Sequence, residues 1–105
     1  MALSEMNYTS GGGSVEKVDG TVSGTKTITL DKPASVLIMD DGTNMFFWSP
    51  LVSDYFYYTN KSTKTTASAV QVGYNATTRI QSISADFKTF VLYFGSSASY
   101  TFYCE

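Results

Sequence analysis

From Arg79 to Cys104 the chain holds a period of two for longer than anywhere else. Phe90, Leu92 and Phe94 share one face of a strand, and after Gly95-Ser96-Ser97-Ala98 the residues Tyr100, Phe102 and Cys104 share one face of the next. Successive side chains of a strand point to opposite faces, so this alternation marks strands with one side on a core. The stretch predicts three strands joined by two short polar turns, one of them at Gly95–Ala98. Ile80 and Ile83 have opposite parity within the first strand, and a bulge near Gln81-Ser82 brings both into the core.

The rest of the chain repeats the pattern. Val15 to Val22 reads as a weak strand interrupted by the hairpin-type pair Asp19-Gly20, and Thr25–Leu30 as an alternating strand ended by Pro33. Ser35–Met39 is apolar at both parities, which predicts a central strand covered on both sides. Asp40-Asp41-Gly42-Thr43 is a tight turn with Gly42 free to take a positive φ. Met45–Trp48 and Tyr55–Tyr58 are short strands on either side of the break at Ser49-Pro50. Asn60–Thr66 reads as a loop, and Ser68, Val70, Val72 and Tyr74 alternate along a further strand. The chain thus predicts about eight or nine strands spaced about ten residues apart, with turn residues between them. No segment shows a helical period.

The fold class that follows is all-β: an antiparallel β-sandwich, jelly-roll-like or Ig-like. At 105 residues, 43% of them hydrophobic, the chain is one domain able to bury a core without disulfides. Residues 1–13 read as an arm and Gly linker, since Gly11–Gly13 is flexible-joint chemistry, and 14–105 as the sandwich. The N-terminal residues show no apolar stretch of the signal-peptide kind, so none is expected, and no apolar run approaches a membrane span.

Little here suggests catalysis. There is no His, which removes Ser-His-Asp and Cys-His sets and the usual zinc ligands. Most carboxylates lie in turns or near the ends, where Asx-turn bonding accounts for them. Asp40-Asp41-Gly42-Thr43-Asn44 lacks the ligand spacing and closing Glu of a calcium loop. Asn7-Tyr8-Thr9, Asn60-Lys61-Ser62 and Asn75-Ala76-Thr77 match the glycosylation pattern by chance in a chain rich in Ser and Thr. Cys104 stands alone, among apolar neighbours, and reads as a small buried hydrophobe. The expectation is a non-enzymatic protein without metal or cofactor. A net charge of −2 with no basic patch argues against nucleic acid.

The aromatic block Phe46, Phe47, Trp48, Tyr55, Phe56, Tyr57 and Tyr58 is the candidate working surface. Alternation sends only half of it inward: either Phe46 and Trp48 face the core and Met45 and Phe47 face out, or the reverse, and Phe56 and Tyr58 oppose Tyr55 and Tyr57 in the same way. The outward half must be covered by a partner or serve as a ligand platform. The candidate binding residues are Phe47, Trp48, Tyr55, Tyr57 and Phe87.

Three stretches carry a resemblance. Met1–Tyr8 with Gly11–Gly13 resembles the start of small virion proteins of tailed phages infecting gut Firmicutes. Ile83-Ser84-Ala85-Asp86-Phe87-Lys88-Thr89-Phe90 resembles the Ser-x-Asp-Gly-Lys-Thr hairpin near the end of such proteins, and Tyr100–Tyr103 is similar to their aromatic final strand. Phe87 departs from the pattern, which has Gly there; the expectation is a longer or differently shaped turn with Phe87 as an exposed contact. The resemblance implies a tail, fibre or capsid-associated module that resides in the virion. The outward aromatics and low net charge predict a homo-oligomer; the resemblance favours a trimer that meets other virion proteins, and no membrane partner is expected. The alternative is a carbohydrate- or receptor-binding module that takes a cell-surface glycan on exposed aromatics.

Overall fold

The computed structural model describes residues 15–64 and 68–104. The expected arm, 1–13, lies outside the described residues. Seven strands form: β1 (Glu16–Thr29), β2 (Ala34–Asp40), β3 (Asn44–Trp48), β4 (Tyr55–Asn60), β5 (Ser68–Gln71), β6 (Thr78–Ile83) and β7 (Thr89–Cys104). One 3₁₀ turn, Pro50–Val52, joins β3 to β4, and no α-helix occurs among the described residues. Accordingly, no described helix is long and apolar enough to cross a membrane.

All pairings are antiparallel. The order across the sheet is β1-β7-β2-β3-β4-β5, and β6 pairs with β7 as well. The long strand β7 organises the molecule. Its first half pairs with β6 and with Gly24–Thr29, its second half with β2 and with Glu16–Val22.

One sheet supplies both layers by folding over. Phe90 and Phe102 are twelve residues apart on β7, a separation of about 40 Å along a straight strand, yet their ring centroids are 4.8 Å apart. The bend falls where β1 shifts register between Val22 and Gly24, opposite the Gly95–Ala98 stretch of β7. Gly24 has φ 78°, a bulge conformation that costs glycine little. Strands that pass from one layer to the other through such a corner are a known way to close a two-layer core.

The corner explains two differences from expectation. Gly95–Ala98 is not a turn but a bend inside β7, and Asp19-Gly20 is not a hairpin but part of β1. At Gly20 the ring of Tyr100, its register partner, lies where a side chain would be. The expected strands Val15–Val22 and Thr25–Leu30 merge into β1, and the two strands flanking Gly95–Ala98 merge into β7, so nine become seven. The bulge near Gln81-Ser82 is present as a register shift between Ile80 and Ser82; Ile80 is buried and Ile83 packs against the core. The strand expected at Ser68–Tyr74 stops at Gln71, where Val72 and Gly73 turn the chain and leave Tyr74 outside it.

The core is a chain of rings between the layers. Trp48 meets Phe90 edge to face at 5.0 Å, Phe90 meets Phe102, and Phe46 meets Phe56 at 6.1 Å. Leu37, Met39, Ile80, Leu92 and Cys104 fill the space between them. Burial pushes the Cys104 thiol up, in keeping with a packed, unreactive cysteine.

Candidate functional site

The parity of β3 and β4 decides which aromatics stay outside. Phe46, Trp48 and Phe56 are buried, whereas Phe47 and Tyr55 are 43% and 45% exposed and Tyr57 is half-buried. Phe47 is in register with Tyr57 on β4 and with Ile38 on β2. The row continues through Thr101 to Asp19 in one direction and to Ala69 in the other. Tyr55 lies two residues before Tyr57 and so on the same face, and Val36 is paired with Tyr103 beside the row. Val36, Ile38, Phe47, Tyr55, Tyr57 and Tyr103 therefore make one apolar field on the outer side of the sheet.

Its margins are polar. Lys17 and Asp19 are 3.4 Å apart, and the Thr101 hydroxyl donates to Asp19 at 2.7 Å. That hydrogen bond holds the Asp19 carboxyl below the usual carboxylate range. At the far end of β2, Lys61 donates to both oxygens of Asp40 at 3.1 and 2.9 Å, and the Gly42 amide adds a third bond at 2.8 Å. The Lys61 bond is the main reason that Asp40 also titrates low. An apolar centre with a charged, hydrogen-bonded rim is the anatomy of a protein interface.

Two of the five expected site residues are elsewhere. Trp48 is only 1% exposed, packs edge to face on Phe87 and Phe90, and donates its indole N–H to the Ser53 carbonyl at 3.2 Å. It has no open ring face to offer a ligand. Phe87 is half-buried against Trp48 at 5.5 Å rather than an exposed contact. Its turn is tight, closed by the Phe87 amide on the Ser84 carbonyl at 3.0 Å. Phe87 itself takes φ 59°, so it occupies the left-handed conformation that Gly in the resembling hairpin would favour. Ser84 and Asp86 cap this turn, and the Ser84 hydroxyl, donating at 2.6 Å, holds Asp86 below the usual range.

The sequence reading missed Val36, Ile38 and Tyr103. It placed Ser35–Met39 between two covering layers, but β2 has only one; its outward residues are half-buried. The signal was available in the run of apolar residues at both parities, beside an aromatic block with the same property. Leu51, on the 3₁₀ turn, is 93% exposed and was also passed over. The carboxylates of the Asp40–Asn44 turn are used as expected: Asp41 accepts the amides of Thr43 at 2.9 Å and Asn44 at 2.8 Å. Among the described residues no cluster of three or more His, Cys, Asp or Glu is placed to hold a metal ion.

No family model, no curated protein and no solved structure matches this chain.

Proposed function

We propose that the protein is a non-enzymatic assembly module, a structural or accessory piece of a tailed-phage virion, whose outer sheet face is covered by further copies of itself. The observation that carries this reading is the in-register row Ile38–Phe47–Tyr57, apolar and outward on the same strands whose other face is the core. Soluble monomers rarely leave a contiguous field of this kind open, and closed symmetric assembly is the common way to cover a repeated patch. The low net charge works in the same direction. The virion setting and the preference for a trimer rest on the resemblance of the ends of the chain to small phage proteins. A glycan platform on this face has less support, because burial of Trp48 removes the largest ring from it.

Size exclusion coupled to light scattering at micromolar protein tests the assembly. The expected mass is a multiple of 11.5 kDa. A double variant, Phe47→Ser with Tyr57→Ser, should give the monomer mass with an unchanged β-type circular dichroism spectrum. A wild-type mass of one chain overturns the reading.

A further inference from the structure

A concave site lies away from the outer face, where the β5 edge meets the segment leading into β6. It is a groove of about 460 Å³ lined by Asp41, Asn44 and Phe46, by Tyr58 and Gln71, and by Tyr74 with its neighbours. Small-ligand sites commonly enclose about 300–1,000 Å³. We propose that this groove binds a neutral saccharide, a mono- or disaccharide unit of a glycan. The proposal stands on the groove alone and does not depend on the assembly reading.

The walls are built before any ligand arrives. The Tyr74 amide donates to the Gln71 carbonyl at 3.0 Å, and the Ala76 amide to the Tyr74 carbonyl at 2.8 Å. Arg79 donates to the Ala76 carbonyl at 2.6 Å and lies over the Tyr93 ring, 4.2 Å from its centre. Gly95 donates to the Thr77 carbonyl at 2.8 Å, and the Thr78 hydroxyl donates to Asp41 at 2.8 Å. The segment is thus tied to β7 and to the β2–β3 turn, so little ordering remains to oppose binding.

The lining chemistry selects the occupant. Tyr58 is half-buried and Tyr74 stands 65% exposed, and such rings suit the C–H faces of a sugar; Phe46, buried and tilted against Tyr58 at 5.5 Å, backs the wall. The side chains of Asn44 and Gln71 and the hydroxyls of Tyr58 and Tyr74 make no hydrogen bond among the described residues. A carboxylate offers about four acceptor positions, and three on Asp41 are taken, by Thr43, Asn44 and Thr78. One remains for a ligand hydroxyl. An aliphatic ligand would cover these polar groups without satisfying them, at a cost. An anionic ligand would meet Asp41 with no lysine or arginine among the described lining residues to offset it. A neutral polyhydroxylated ring fits both requirements.

The test is an amide ¹⁵N–¹H titration of the whole chain with a panel of glucose, galactose, mannose, N-acetylglucosamine, rhamnose, lactose, maltose and cellobiose, with sialyllactose as the charged arm. At least one neutral sugar should shift the signals of Asn44, Tyr58, Gln71 and Tyr74. Tyr74→Ala and Gln71→Ala, both at exposed positions, should each weaken that binding by about tenfold or more while leaving the rest of the spectrum in place. Sialyllactose should bind no better than lactose. The proposal is overturned if no sugar on the panel shifts the groove, if the shifts fall on Phe47, Tyr55 and Tyr57 instead, if both variants bind as the wild type does, or if the charged sugar is preferred.

Discussion

Phe46, Trp48 and Phe56 differ from Phe47, Tyr55 and Tyr57 by one position in the chain, and the two sets are almost the same chemistry. One set is buried in edge-to-face and tilted contacts with Phe87, Phe90 and Tyr58. The other stands in a row on the outside, bordered by Thr101, Asp19 and Lys17. Strand parity, not residue type, decides which ring packs inside the monomer and which stays on its surface. The inner set is packed within the monomer; the outer set is the face that, on the proposed reading, further copies cover. Changes on the inner side should therefore act on folding, and changes on the outer side on association.

The largest effect is expected at Trp48. Trp48→Ala removes a fully enclosed ring that touches both layers and should cost about 3–5 kcal/mol, a large part of the stability of a domain this size. Urea unfolding measures it. A loss under about 1 kcal/mol would mean that the inner rings are not the core described above.

Gly20→Ala is the next largest. A Cβ there would overlap the Tyr100 ring, and that ring is held edge to face against Phe102 at 5.7 Å. Overpacking of this kind should cost about 1–3 kcal/mol, whereas Ser99→Ala, on the exposed parity of β7, should stay within about 0.5 kcal/mol. Equal effects at the two positions would erase the contrast between the faces.

The smallest effect separates ring from backbone at Phe87. Phe87→Ala and Phe87→Gly both lose the contact with Trp48, but only Gly relieves the left-handed backbone. The Gly variant should be the more stable of the two by about 1 kcal/mol. The reverse order would mean that Phe87 does not hold a positive φ.

Much of the inner face was legible in the sequence, because a period of two needs no knowledge of what the strand packs against. Phe90, Leu92, Phe94 and Phe102 are buried as their parity requires, and the opposed parity of Ile80 and Ile83 located the bulge. Two features were hidden. Gly95-Ser96-Ser97 has the composition of a turn, yet continuous pairing with β1 on both sides carries β7 through it as a bend. Local composition cannot tell a chain reversal from a corner, since both need small residues. The outer field was half legible: double parity in Met45–Trp48 and Tyr55–Tyr58 said that some rings must stay outside, but which parity won depended on Trp48 finding Phe90 across the fold. The groove was not legible at all, because it joins Asp41 of the β2–β3 turn, Tyr58 of β4 and Tyr74 of the β5–β6 connection, which are far apart in the chain.

Thermal unfolding at increasing protein concentration tests the central contrast most directly. If copies of the chain cover the Ile38–Phe47–Tyr57 row, association stabilises the folded state by mass action. The Tm of the wild type should then climb steadily over about a hundredfold range of concentration, while the Tm of Phe47→Ser stays flat and meets the wild-type value at the dilute end. A wild-type Tm that does not move with concentration, or a Phe47→Ser variant that is unstable even when dilute, would contradict the division of labour between the two faces.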